Sequence, residues 1–226
     1  MKTQLPLTLP LPSAYDKDSF VIGSANEQAL GWLERWPDWP LPLKGLNLHG
    51  PSGSGKTHLS NLWAGRGDAV ALNSLFQFDQ EQFLQKHHVV LDDFGVSGCY
   101  DDTAVFHLLN YISSVSGTFL ILSPYPVAQH ESSLSDLTSR LRSLAAQEIN
   151  LPDDGLLKSV LLKQFTDRQC AVSEQVLNYI VKRMERSFSA AQQLSAEMDA
   201  LALSRKVPVS LTIARQVLDS VEVKLI

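Results

Sequence analysis

No run of apolar residues in this chain approaches the roughly 20 that a membrane-spanning helix needs, so insertion by such a helix is excluded. Cysteine is scarce: Cys99 and Cys170 stand far apart and have no metal spacing. They read as two reduced thiols of a cytoplasmic protein, not as a disulfide framework or a zinc site. Positive charge is also short, with 19 Lys and Arg against 24 Asp and Glu and a net charge of −5. The acidic surplus falls in residues 1–150, and residues 151–226 are near neutral. Neither part carries the basic face of a duplex binder. A signal peptide is not expected, because the start has one lysine and then alternates leucine with proline. No internal repeat or low-complexity segment stands out. What remains is ordinary: 226 residues, 44% apolar and 19% charged. That suffices for one large domain, or a medium one plus a small one.

One stretch organises the rest. Residues 50–57 read Gly-Pro-Ser-Gly-Ser-Gly-Lys-Thr and fit the P-loop spacing G-x-x-x-x-G-K-[ST]. Wrapping a polyphosphate with backbone N–H groups needs glycines at close approaches and at positive φ. Lys56 would reach the β- and γ-phosphates, and Thr57 would hold Mg²⁺. The following helix would aim its positive end at the same phosphates. The flanks agree: residues 43–49 suit a buried strand, and residues 57–65 place apolar side chains at helical spacing.

Upstream, residues 1–12 carry three prolines and predict an extended, mobile tail. Leu5, Leu7, Leu9 and Leu11 give it an unusual apolar load. Two readings stand: these leucines pack on the protein's own body, or they serve as a docking peptide that drops alternate side chains into pockets, with Gln4 at the entrance. Phe20, Val21 and Ile22 then form a short apolar patch. Ser24 or Asn26 can cap a helix over 25–36, and residues 36–42 read as a proline-rich linker. Trp32, Trp36 and Trp39 are expected to pack this helix against the core.

Downstream, residues 69–73 read as a second strand and residues 75–87 as a polar, partly exposed helix. Residues 88–94 (HVVLDDF) form a third strand ending in Asp92 and Asp93, the Walker B arrangement. One carboxylate would order the Mg²⁺ shell and Asp93 would polarise the attacking water. A helix is expected over 101–115 and a fourth strand over 118–122. Ser123 at its end either contacts the γ-phosphate or simply starts a proline-rich turn. Residues 134–144 suit a helix with Arg140 and Arg142 near its end. Helices alone are expected after 152: over 153–166, 173–186, 189–205 and 210–221.

This order resembles the AAA+ ATPases, which implies a three-layer α/β domain with a parallel sheet, then a small all-helical lid. The expected divisions are a tail over 1–12, the nucleotide-binding domain over 13–152 and the lid over 153–226. Phe20-Val21-Ile22-Gly23 with Asn26, Gly55-Lys56-Thr57-His58-Leu59, Leu91-Asp92-Asp93, Phe106–Asn110 and Leu137-Thr138-Ser139-Arg140-Leu141 are similar to segments of the replication initiator DnaA and its relatives. The resemblance implies nucleotide contacts from Phe20, Val21, Ile22, residues 50–58 (Gly50, Pro51, Ser52, Gly53, Ser54, Gly55, Lys56, Thr57, His58) and Ser123. It implies Mg²⁺ at Thr57 and Asp92, and ADP or ATP as the resident nucleotide.

Residues 4–9 (QLPLTL) resemble the peptides that bacterial proteins dock on the replication sliding clamp, which implicates Gln4, Leu5, Leu7 and Leu9. DnaA itself is expected to have a long N-terminal domain and a helix-turn-helix domain, and this chain shows neither. The combination resembles the Hda/HdaA group of DnaA homologues. That resemblance implies a regulator that rides the DNA-loaded clamp and presses an arginine finger, Arg140, onto the ATP of a neighbouring DnaA. The implied partners are DnaA, the clamp, DNA only through the clamp, no membrane, and a second copy of the chain. Two departures bear on its own ATPase activity. Ser189 stands where a sensor 2 arginine is expected, with Arg186 one turn earlier as a substitute. The segment around Ser123 is short and proline-rich. The competing readings are a small ATPase or helicase loader using its own turnover, and a DnaA tether that stimulates nothing.

Overall fold

The computed structural model describes residues 21–224, with side chains described up to residue 220. Gln4, Leu5, Leu7, Leu9, Leu11 and Phe20 therefore lie outside the described residues. The described chain forms two compact units, residues 22–151 and the helical part that begins at Pro152.

The first unit is built on a five-stranded sheet. Its strands are β1 (Gly45–His49), β2 (Val70–Leu72), β3 (His88–Leu91), β4 (Thr118–Ser123) and β5 (Ala145–Glu148). All pairings are parallel, in the order β2-β3-β4-β1-β5. Parallel pairing requires crossovers: α2 (Lys56–Gly67) joins β1 to β2, α3 (Asp102–Ser114) joins β3 to β4 and α4 (Ser135–Arg142) joins β4 to β5, with α1 (Glu27–Glu34) ahead of β1, while the connection from β2 to β3 holds no α-helix.

Burial on both faces explains the central strands. β4 (TFLILS) is buried at every position, which is why it reads as a continuous apolar run. Val89, Leu91, Phe119 and Ile121 share one core with Val105, Leu108, Leu109 and Ile112 of α3 and Leu137 and Leu141 of α4. Alternate residues point the other way, and there Trp63 of α2 stacks on Trp39 at 5.3 Å. Trp36 donates Nε1–H to Thr118 Oγ1 at 2.9 Å. The tryptophans thus divide. Trp36 and Trp39 pack the linker onto the sheet. Trp32 is half-buried and lies against its neighbour Arg35, 4.9 Å from guanidinium carbon to ring.

Two local expectations are corrected. The stretch 75–87 is not a helix; it holds a single 3₁₀ turn, Gln80–Phe83, capped by Asp79. Its anchors are Phe83, which is buried, and Phe78, which stacks on Phe83. Phe76 and Leu84 are exposed, so no apolar stripe exists to bury a longer helix. The strand β5 was not anticipated. Its sequence AAQE alternates half-buried and exposed at the sheet edge and carries no apolar run.

The second unit is all helical: α5 (Asp154–Asp167), α6 (Glu174–Val181), α7 (Phe188–Arg205) and α8 (Leu211–Lys224). Three starts are capped by side chains accepting backbone N–H groups: Asp153 from Leu156, Ser173 from Val176, and Ser187 from Ala190. The core gathers Leu157, Leu161, Phe165, Ile180, Met198 and Ala214. α6 ends at Val181, short of the expected 186, and Ser187 then starts α7.

Candidate nucleotide-binding site

The loop 50–55 leaves the C-terminal end of β1 and feeds directly into α2. Gly50 has φ 152°, and a Cβ there would strike the Ile149 carbonyl. Gly55 stands at the N-cap of α2 with φ 93°. Both positions need glycine for backbone reasons, which accounts for the spacing of the motif.

Around this loop the sheet delivers the acidic corner. The Thr57 hydroxyl, in the first turn of α2, donates to Asp92 Oδ2 at 3.0 Å. Asp93 N–H donates to Asp92 Oδ1 at 2.9 Å, and Asp93 itself takes φ 55° as the chain turns away from β3. Lys56 Nζ donates to the carbonyls of Gly50 at 2.7 Å and Pro51 at 2.9 Å. Burial lowers its pKa, opposed by the charges of Asp92 and Asp93. The Ser54 hydroxyl is fully buried and has no hydrogen-bond partner among the described residues.

Such an orphan inside a glycine-formed loop, with an ammonium and a helix N-terminus at its rim, suits an anion lined by backbone N–H groups. The Thr57 hydroxyl beside the Asp92 carboxylate is the oxygen donor set of a hard divalent cation. On those two observations the residues fit a nucleotide and Mg²⁺.

Ser123 is brought to the same end of the sheet but is occupied. It is 2% exposed. Its hydroxyl donates to Tyr125 O at 2.7 Å and accepts from Asn47 Nδ2 at 2.8 Å. Asn47, buried in the middle of β1, also accepts from Val127 N–H at 3.0 Å. This network ties β1, β4 and the proline-rich turn together. Pro51 and Ser52 are exposed on the loop, Gly53 is half-buried, and His58 is half-buried in the first turn of α2. Val21 is half-buried and Ile22 is 55% exposed, both ahead of α1.

Arg140 does not join the phosphate-loop cluster. It sits in the last turn of α4, half-buried, with its guanidinium 5.6 Å from the Phe106 ring of α3. Arg142 is exposed. In the helical unit, Arg186 pairs with Asp154 at 2.8 Å, and the exposed Ser189 shares a hydrogen bond with Ser187.

No family model matches the chain. It is 27% identical over 204 residues to the chromosomal replication initiator protein DnaA of Bartonella quintana, covering 76% of this chain and 41% of that one. It is 24% identical over 232 residues to the DnaA of Tropheryma whipplei strain Twist, covering 89% and 47%. The chain therefore spans less than half the length of the curated relatives it matches. Among solved structures it matches domain III of Thermotoga maritima DnaA with a TM-score of 0.75 at 19% identity, covering 94% of this chain and 98% of that one. The fold is the AAA+ fold.

AMPPCP-bound DnaA from Aquifex aeolicus superposes with a TM-score of 0.59 at 15% identity, covering 84% and 67%. The Thermotoga maritima RuvB branch-migration motor does so with 0.64 at 15%, covering 78% and 61%. The α/β class, the parallel sheet and the relationship to DnaA thus agree with the sequence reading. Two site residues were not anticipated. Asn47 left a signal, a lone amide inside an apolar strand. Tyr100, whose hydroxyl lies 2.6 Å from Leu72 O and 2.5 Å from Asp92 O, left none.

Proposed function

We propose that this chain is a nucleotide-bound regulator of replication initiation that acts on DnaA in trans. Residues 50–57 hold the phosphates of ADP or ATP. Thr57 and Asp92 would hold Mg²⁺, which would supply charge neutralisation at the phosphates when bound. Lys56 exchanges its two loop carbonyls for phosphate oxygens. Residues 4–9, with Gln4, Leu5, Leu7 and Leu9, dock on the sliding clamp. Phe20, Val21 and Ile22 serve the base side of the nucleotide. Residues 13–152 form the nucleotide domain and residues 153–226 its lid, in a cytoplasmic protein.

The observation that carries the trans reading is Arg140. It stands in the last turn of α4, pairs with no carboxylate and makes no side-chain hydrogen bond among the described residues, and its guanidinium carbon lies 5.6 Å from the Phe106 ring. A guanidinium with free donors can reach a partner's phosphates bidentately. A finger supplied in trans is worth roughly 10³–10⁵ in rate for GTPases. The similarity to DnaA over most of the chain supports DnaA as the partner.

The test mixes the full chain with DnaA–ATP, clamp and DNA and follows conversion to ADP. Stimulation by the wild type that disappears with Arg140→Ala supports the proposal; wild type without effect sinks it. Gln4→Ala with Leu5→Ala tests the clamp part alone. One observation favours a second reading: the Thr57–Asp92 pair is intact, as a self-sufficient ATPase or helicase loader requires. Appreciable hydrolysis by the chain alone, lost with Asp93→Asn, would favour it.

A further inference from the structure

We infer that Tyr100 is a positioning residue for the metal-side carboxylate of Asp92. The inference rests on the reading of residues 50–57 and Asp92 as a nucleotide–Mg²⁺ site. Asp92 lies one residue beyond β3. Its N–H donates to Leu72 O at the end of β2, at 2.8 Å. Both carboxylate oxygens are engaged, one by Thr57 and one by Asp93 N–H. The rotamer of Asp92 therefore follows its backbone.

That backbone is set from outside. The Tyr100 hydroxyl lies within hydrogen-bond distance of two carbonyls, Asp92 O and Leu72 O. Its single proton is shared between the ends of two neighbouring strands. The phenol cannot swing away. Its ring packs on buried Phe94 at 5.5 Å. The flanking backbone is clipped to Leu75 by Leu75 N–H to Cys99 O at 2.9 Å and Asp101 N–H to Leu75 O at 2.8 Å. Asp101, the next residue, caps α3 through Ala104 N–H at 2.9 Å. Mg²⁺ demands near-ideal octahedral geometry, and a ligand strand free to shift by tenths of an ångström serves it poorly.

The test measures binding of fluorescent mant-ADP to the full chain, with and without Mg²⁺. Tyr100→Phe is expected to bind metal-free nucleotide as the wild type does. It should lose about five- to tenfold of the Mg²⁺-dependent gain, the worth of one hydrogen bond, and half-saturate at correspondingly higher Mg²⁺. Added to Asp92→Asn it should cost nothing more, because both act on one ligand. Equal loss with and without Mg²⁺, unchanged Mg²⁺ dependence, or full additivity with Asp92→Asn would each overturn the inference while leaving the nucleotide site standing. A wild type whose ADP affinity ignores Mg²⁺ overturns the metal reading and the inference together.

Discussion

Thr57 and Asp92 are 35 residues apart in sequence, yet the threonine hydroxyl donates to Asp92 Oδ2 at 3.0 Å. That single bond joins the first turn of α2 to the end of β3 and forms the oxygen corner of the candidate site. Thr57→Ala should lower Mg²⁺-dependent ADP affinity by about tenfold, and Thr57→Ser should restore it. Lys56→Ala should cost about 10–100-fold with or without the metal, because it removes a charge-assisted contact to phosphate. Isothermal titration with ADP, with and without Mg²⁺, separates the two patterns. Equal effects of both substitutions in the absence of metal would contradict the assignment.

Asn47 holds β1, β4 and the turn after it through three hydrogen bonds, to Ile121 O, Ser123 Oγ and Val127 N–H. It is fully buried. Asn47→Leu would strip Val127 N–H of its acceptor and should destabilise the fold by about 2–4 kcal/mol, given about 1–3 kcal/mol for each buried group left unsatisfied. Urea unfolding should show a lower midpoint at unchanged slope. Asn47→Leu with wild-type stability would mean the network contributes nothing.

Acid should destabilise the sheet through histidines at both of its ends, His88 at the start of β3 and His49 at the end of β1. Burial, with His87 nearby, lowers the pKa of His88 below its usual 6.5. His88 Nδ1 shares Thr118 Oγ1 with Trp36, whose ring meets the imidazole edge-on at 5.2 Å. A depressed histidine pKa means the unfolded chain binds the proton more readily. Stability is then full above about pH 6.5 and declines as pH falls from there towards the folded-state pKa. His49 contributes in the same direction, its pKa lowered mainly by burial. Unfolding midpoints at pH 7.5 and 5.5, followed by tryptophan fluorescence, should show the decline, and His88→Asn should reduce it. A midpoint that rises on acidification would refute the assignment.

Cys170 should be slow to alkylate. Its thiol donates to Asp199 Oδ1 at 3.0 Å, and burial with that carboxylate pushes its pKa up to about 11. Against an ordinary thiol, the thiolate at pH 8 is scarcer by on the order of a hundredfold. Iodoacetamide labelling read by peptide mass spectrometry should rank Cys170 far below an unstructured cysteine peptide. Asp199→Asn should speed it.

Legibility from sequence followed burial. β3 and β4 are covered on both faces and so read as apolar runs. The caps Asp101, Asp153 and Ser173 stood at helix starts that periodicity also located. β5 escaped because an edge strand of AAQE is held by backbone pairing with β1, which side-chain pattern does not report. The stretch 75–87 was misread because composition suggested a helix while Phe78 and Phe83 are held by contacts with α3. Tyr111 meets Phe78 at 5.9 Å and donates to Phe83 O at 2.8 Å.

By itself the sequence determined the phosphate loop, since glycine spacing there answers a local demand for positive φ and close approach. It also determined the order of the central strands along the chain and the change to helices after Pro152. Only the tertiary structure decided what meets at the end of the sheet. It placed Asp92 on Thr57, committed the Ser123 hydroxyl to Asn47 and Tyr125, and laid Arg140 on Phe106. Those are contacts between residues far apart in the chain, set by parallel crossovers and packing, and no local periodicity encodes them.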